Sequence, residues 1–84
     1  MTKRTVTIEL ASGLEARPIA MLVQLASSYE SRIYVQSDNK KVNAKSIMGM
    51  MTLDLPVGEQ VIFTAVGADE EKAIDAIEKY LSNH

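Results

Sequence analysis

The apolar residues of this chain repeat at two different spacings, and this switch limits the fold more than any other feature. Between residues 5 and 10 every second residue is apolar, namely Val6, Ile8 and Leu10, which is typical of a strand with one buried face. From Ile19 to Ser28 the spacing becomes that of a helix. The helical stripe consists of Ile19, Leu22, Val23 and Ala26. Pro18 suits the first turn of this helix, because its missing N–H costs nothing there.

The same two spacings continue to the end of the chain. Further strands are predicted over 32–36, 41–43 and 60–66, and in the last of these Val61, Phe63 and Ala65 point inward. A short helix is predicted over 47–51. A final helix follows Asp69, and its buried stripe consists of Ala73, Ile74, Ile77 and Leu81. The order strand, helix, strand, strand, helix, strand, helix predicts an α+β fold, in which an antiparallel sheet carries the helices on one face.

The size and composition of the chain exclude several classes of function. Its 84 residues suffice for a single domain, 1–84, with one core. The absence of cysteine excludes a disulfide scaffold, a thiolate nucleophile and a cysteine-based zinc site. The net charge of −2 and the few aromatic residues argue against direct binding of nucleic acid, and no apolar stretch approaches the ~20 residues of a membrane span. We expect a cytoplasmic protein without metal or cofactor that acts through protein partners.

Two polar positions mark predicted helix starts. Ser46 stands immediately before the short helix, where serine is a preferred N-cap because its hydroxyl accepts a hydrogen bond from a free amide of the first turn. Taken alone, this position has a purely structural explanation. Asp69 is predicted to cap the last helix, with Glu70 and Glu71 in the first turn, where the helix dipole favours negative charge. We interpret this acidic run as a helix start and not as a cation site.

Two segments resemble the HPr family of phosphocarrier proteins. The family's active-site loop, Gly-x-His-Ala-Arg-Pro, is similar to Gly13-Leu14-Glu15-Ala16-Arg17-Pro18. The family's regulatory site is similar to Lys45-Ser46-Ile47-Met48-Gly49. The order of the elements and the spacing of the two motifs also fit, so the resemblance covers essentially the whole chain. It implies an HPr-like open-faced sandwich of four antiparallel strands and three helices.

The resemblance is interrupted at position 15. There the family has the histidine that takes phosphate from enzyme I and passes it to sugar-specific enzyme II components, whereas this chain has Glu15. Its single histidine is His84, the last residue. The departure is similar to the catabolite repression HPr branch, in which this histidine is likewise replaced, usually by glutamine. The resemblance therefore implies a protein that is not an enzyme and not a phosphohistidine carrier.

The same branch implies regulation through Ser46. An ATP-dependent HPr kinase/phosphorylase would phosphorylate this serine, and the phosphorylated protein would act as corepressor of a LacI-family catabolite control regulator in carbon catabolite repression. Partner binding is expected from residues in the two motifs and on the first helix, namely Glu15, Arg17, Ala20, Met21, Ile47, Met48 and Met51. For Met21 and Ile47, burial in the small core is an equally good alternative.

Other functions remain open at this point. One is a working phosphocarrier of the phosphoenolpyruvate-dependent sugar phosphotransferase system that uses Glu15 as acceptor. Another is an unproductive decoy that binds enzymes of that system through Arg17. The Glu15 carboxylate is either a mimic of phosphohistidine beside Arg17 or a solvated group at the helix start.

Overall fold

The computed structural model describes residues 1–9, 16–53 and 57–82, without the side chains of Ala16 and Arg17. Four strands and three helices follow one another in the predicted order. The strands are β1 (Thr2–Thr7), β2 (Arg32–Ser37), β3 (Lys40–Asn43) and β4 (Gln60–Val66). The helices are α1 (Ala16–Ser27), α2 (Ile47–Met50) and α3 (Glu70–Leu81). No helix in these ranges is long and apolar enough to cross a membrane.

The four strands form one antiparallel sheet in the order β1-β4-β2-β3. β4 and β2 are central, and their register places Phe63 opposite Val35. On either side of this pair, Arg4 of β1 lies opposite Phe63 and Val42 of β3 lies opposite Val35. Residues that lie opposite each other in neighbouring strands point to the same face of the sheet, so this row faces the helices in all four strands.

The core lies between one face of the sheet and the helices. Phe63, Ile33 and Val35 are fully buried on the two central strands. The helices contribute the stripes predicted from the sequence, namely Ile19, Leu22 and Ala26 of α1 and Ala73, Ile74, Ile77 and Leu81 of α3. Val23 is only partly buried against this cluster. The fold is thus the α+β fold expected from the order of the elements, and it has the open-faced sandwich architecture that the resemblance implies.

β1 differs from its prediction, because it begins at Thr2 and ends at Thr7. Thr2 pairs with Ala65 and Arg4 pairs with Phe63, so the sheet supplies backbone partners that the polar sequence does not signal. The Arg4 guanidinium also bridges to α3, at 2.5 Å from Asp75 and 3.0 Å from Glu78. Leu10, predicted as part of this strand, lies outside the described residues.

The start of α3 also differs from its prediction. Asp69 occupies the N-cap position, but its side chain makes no capping hydrogen bond. Its carboxylate accepts from the backbone N–H of Glu30, at 2.9 Å, and from both the N–H and the hydroxyl of Ser31. Asp69 therefore joins the loop after α1 to the start of α3, a long-range contact that no local capping rule predicts.

Candidate regulatory site at Ser46

Ser46 connects β3 to α2 and caps the helix as predicted. Its backbone is extended, with φ −104° and ψ 112°, and its Oγ accepts a hydrogen bond from the N–H of Gly49 at 3.1 Å. Its own N–H donates to the carbonyl of Asn43 at 3.0 Å. The hydroxyl therefore lies at the amide end of α2, in a half-buried position that is held from both sides.

The turn before Ser46 is fixed by a short network. The Asn43 side chain accepts from the N–H of Lys45 at 2.8 Å, which is a local turn typical of asparagine. Ala44 is fully buried, and its N–H donates to the carbonyl of Ile33 at 2.9 Å. Because Ala44 is anchored to β2, the adjacent segment with Ser46 has a defined place relative to the sheet.

The Lys45 ammonium is directed towards α1. Its Nζ donates to the backbone carbonyl of Tyr29 at 2.6 Å, just after α1 ends at Ser27. Because the donor is an ammonium group, this is a charge-assisted hydrogen bond to the loop that follows α1. The contact ties the Ser46 segment to the first helix and engages the basic group next to Ser46 in sequence.

Four exposed apolar side chains lie on α1, on α2 and at the C-cap of α2, and the two helices pack against each other. Met48 is 80% exposed, Met51 56%, Met21 51% and Ile47 45%. We call these four residues the apolar patch. Neither Met21 nor Ile47 is buried in the core, which excludes the burial alternative for both, and their role in partner binding stays a prediction. Ala20, also predicted to bind partners, is exposed beside Met21 on α1.

The orientation of α2 depends on Met50. This residue is the one buried side chain of the helix, with no solvent exposure. Its N–H donates to the carbonyl of Ser46 at 2.9 Å, and Met51 N–H donates to Ile47 at 3.0 Å. Sequence reasoning assigned Met50 no role, because methionines at 48, 50 and 51 give no clear periodicity in a helix of one turn. Once Met50 faces the core, its neighbours on α2 face solvent.

Glu15 and Arg17 cannot be placed in the same way. Glu15 lies outside the described residues, and α1 begins at the next residue. Arg17 belongs to α1, but its side chain is not described. Their predicted roles in partner binding stay predictions.

The acidic run at the start of α3 makes internal contacts. Glu70 accepts from the hydroxyl of Thr2 at 2.7 Å, and it also accepts from the N–H of Gly67 and pairs with the amino group of Met1. These donors, the Thr2 hydroxyl foremost, lower the pKa of Glu70 to about 2. In the ranges 1–9, 16–53 and 57–82, no three potential metal ligands of the His, Cys, Asp or Glu type lie close enough to share an ion. Through its hydrogen bonds Glu70 ties β1 to α3, and Asp69 ties the loop after α1 to the same helix.

Comparison with known proteins agrees with the motifs. The family described as "PTS HPr component phosphorylation site" matches residues 2–83. The HPr-like protein Crh of Bacillus subtilis is 42% identical over 81 residues, which are 96% of this chain and 95% of that protein. The phosphocarrier protein HPr of Treponema pallidum is 40% identical over 83 residues, which are 99% of this chain and 94% of that protein.

The fold has a counterpart in the same group. The crystal structure of phosphocarrier protein HPr from Bacillus anthracis superimposes with a TM-score of 0.92 at 40% identity, covering 95% of each chain. Relatives named as phosphocarriers and as HPr-like proteins are thus similar to this chain at nearly equal identity. Overall similarity shows the family, and the difference between these two kinds of member has to be sought at single residues. The chain belongs to the HPr family.

Proposed function

We propose that this protein is a regulatory member of the HPr family. The HPr kinase/phosphorylase phosphorylates it on Ser46, and it then binds a LacI-family catabolite control regulator as corepressor. The observation that carries the proposal is the position of the Ser46 hydroxyl, which caps α2 directly beside the apolar patch. Position 15, where the family carries its phosphohistidine, holds Glu15.

The surroundings of Ser46 suit a phosphate. Phosphorylation adds about −1.5 to −2 charges and three strong acceptor oxygens. The Gly49 N–H already points at Oγ from 3.1 Å, so the new oxygens find a donor without rearrangement of α2. Gly49 also has no side chain that would crowd Oγ. The signal is therefore a new anion on an unchanged surface.

The countercharge for that phosphate comes from the partner. The nearest basic residue in sequence, Lys45, already donates to the carbonyl of Tyr29 on the side of α1. An arginine or lysine of the regulator would pair with the phosphate by charge-assisted hydrogen bonds. This arrangement makes the affinity of the partner depend on phosphorylation.

The apolar patch supplies the second part of the contact. Exposed apolar side chains that cluster on one surface are typical of interaction sites. Three of its four members are methionines, whose flexible side chains adapt to different partners. The patch therefore suits a protein that has to bind both a kinase and a regulator through one surface.

The replacement at position 15 argues against phosphate relay. A carboxylate is anionic at neutral pH, and Glu15 would repel the phosphohistidine of a donor enzyme. The single histidine of the sequence is His84, which lies far in sequence from Arg17 and Pro18. A phosphocarrier that uses Glu15 is the alternative function.

Two parallel reactions test the proposal. One contains the protein, enzyme I and labelled phosphoenolpyruvate, and the other contains the protein, the HPr kinase/phosphorylase and labelled ATP. We expect label only in the second reaction, and no label after Ser46→Ala. Thr52→Ala is the matched control, because it removes a hydroxyl at the opposite end of α2. Acid-labile label in the first reaction would show a phosphocarrier and refute the regulatory function.

Binding is then measured between the purified regulator and the protein in both phosphorylation states. We expect tight binding only of the form phosphorylated on Ser46, with an affinity that falls as salt is raised, since an ion pair forms. Equal affinity of both forms would contradict the corepressor function even if the kinase reaction succeeds.

A further inference from the structure

The methionines of this chain divide sharply between surface and core. Met1, Met21, Met48 and Met51 are all at least half exposed, whereas Met50 is completely buried. Three of the four exposed methionines belong to the apolar patch next to Ser46. The fourth, Met1, precedes β1 in the chain and lies close to the start of α3, because its amino group pairs with Glu70. The chain contains no cysteine, so it has no thiol that would react with an oxidant first.

Exposed methionine sulfur reacts with peroxides. A lone pair of the thioether attacks one peroxide oxygen, the O–O bond breaks and an S–O bond forms. The second oxygen takes up the proton of the transferred oxygen and leaves as water. The sulfur is oxidised by two electrons and the peroxide is reduced by two. The product is a polar sulfoxide in place of an apolar side chain, and methionine sulfoxide reductases reverse the change.

We propose that Met21, Met48 and Met51 form a peroxide-sensitive modification site that switches off partner binding independently of Ser46. This inference rests on the proposed function, since it assumes that the apolar patch contacts the regulator. Sulfoxides at three of the four patch positions place polar oxygens where the partner requires apolar contact. The phosphate on Ser46 remains, but the surface beside it no longer fits.

The structure also predicts which methionine does not react. Met50 is enclosed by the core, and peroxide reaches it only if the domain unfolds. The exposure of the patch methionines means that their oxidation leaves the packed interior intact. Loss of binding would thus occur in a folded protein, which distinguishes a switch from oxidative damage.

The test uses the full chain phosphorylated on Ser46 and the purified LacI-family regulator. The protein is treated with dilute hydrogen peroxide, and peptide mapping by mass spectrometry locates each added oxygen. We expect addition at Met1, Met21, Met48 and Met51 and none at Met50. The affinity for the regulator should fall about tenfold and return after treatment with methionine sulfoxide reductases of both stereospecificities.

The control variant replaces Met21, Met48 and Met51 together by leucine, which preserves volume and cannot be oxidised by peroxide. This variant is compared with itself before and after peroxide, so its own untreated affinity is the reference. Peroxide should leave that affinity unchanged, although Met1 is still oxidised. Met48→Leu alone, which changes the most exposed of the three, should retain part of the affinity after peroxide.

The outcomes separate the two proposals. Full oxidation of the three patch methionines without loss of affinity would overturn the switch alone, and so would an equal loss in the leucine variant. Failure of the untreated phosphorylated protein to bind the regulator would overturn the proposed function, and the switch with it.

Discussion

Asp69 holds Ser31 by two hydrogen bonds, one from the backbone N–H at 3.0 Å and one from the hydroxyl. The residues lie 38 positions apart in sequence. Ser31 is almost completely buried and opens the segment that leads into β2, while Asp69 precedes α3. This pair therefore fastens the end of the α1 segment to the start of the last helix, on the side of the molecule where β4 ends.

Ser31→Ala should destabilise the domain. The substitution removes a buried hydroxyl that donates to a carboxylate, and such a bond contributes about 1.5–3 kcal/mol to the free energy of unfolding. Urea denaturation followed by circular dichroism measures the loss. Ser28→Ala is the matched control, because the Ser28 hydroxyl is exposed and bonds only to the nearby Leu25 carbonyl. Equal stability of the two variants would contradict the importance of the Asp69 contact.

The stability should fall in acid because of Glu70. Its pKa is lowered from 4.5 in the unfolded chain to about 2 in the fold, chiefly by the Thr2 hydroxyl. A lowered folded-state pKa gives stability that is present above pH 4.5 and is lost as the pH falls towards 2. Glu70→Gln should flatten the dependence of the urea midpoint on pH in this window.

The matched control for this charge is Glu71→Gln, which removes a carboxylate from the same helical turn but from an exposed position. It should leave the acid-dependent loss in place. A wild-type midpoint that stays constant from pH 5 to about pH 2 would refute the assigned contacts of Glu70.

Gly67→Ala should destabilise more than any other glycine substitution in the described residues. A Cβ at this position would lie 2.6 Å from Ser31 Oγ and 2.7 Å from Ser31 Cα, closer than atoms can approach. We expect a loss of about 1–3 kcal/mol from this overpacking, measured by urea denaturation. At Gly49 the corresponding contacts are 3.4 Å or longer, so Gly49→Ala should keep or slightly raise the stability.

Met48→Glu should weaken regulator binding without affecting the fold. Met48 is the most exposed member of the apolar patch, so its replacement should change the free energy of unfolding by no more than about 0.5 kcal/mol. If the proposed function holds, a charge in the apolar patch lowers the affinity of the Ser46-phosphorylated protein for the regulator by about tenfold or more. Val57→Glu places the same charge at an equally apolar exposed site outside the patch and should leave affinity unchanged.

Glu15→His should create a phosphate acceptor. The variant restores the family pattern in front of Ala16, Arg17 and Pro18. Incubation with enzyme I and labelled phosphoenolpyruvate should give acid-labile label in the variant and only background in the wild type. The kinase reaction on Ser46 should be unchanged. Failure of the variant to accept label would mean that position 15 is not the only difference from a phosphocarrier.

The sequence predicts elements well where burial alternates along them. β4, with Val61, Phe63 and Ala65 buried, has its predicted bounds because a central strand needs a regular apolar face. The start of β1 was missed because Thr2, Lys3 and Arg4 are polar. Their place in the sheet depends on β4, whose paired residues lie 59 to 63 positions away in sequence, and a local pattern contains no sign of it.

The candidate site shows the same division. The capping role of Ser46 is a local property, which the sequence predicts and the structure confirms. The contact of Lys45 with Tyr29 and the burial of Met50 depend on how α2 packs against the rest of the fold, so neither follows from the motif. The prediction that the Asp69 side chain caps its own helix was wrong for a similar reason. The partners of this side chain lie in a loop that is distant in sequence, and a local pattern does not reveal them.

The sheet order also determines when the domain can be completed during its biosynthesis. β1 is synthesised first, but its partner in the sheet is β4, which ends at Val66. At translation rates of about 5–20 residues per second, roughly 3–12 seconds separate the synthesis of the two strands. Ser46 is made within this interval. The sheet can be completed only after the ribosome has passed residue 66. The phosphorylation proposed for Ser46 would therefore act on the finished protein and not on the nascent chain.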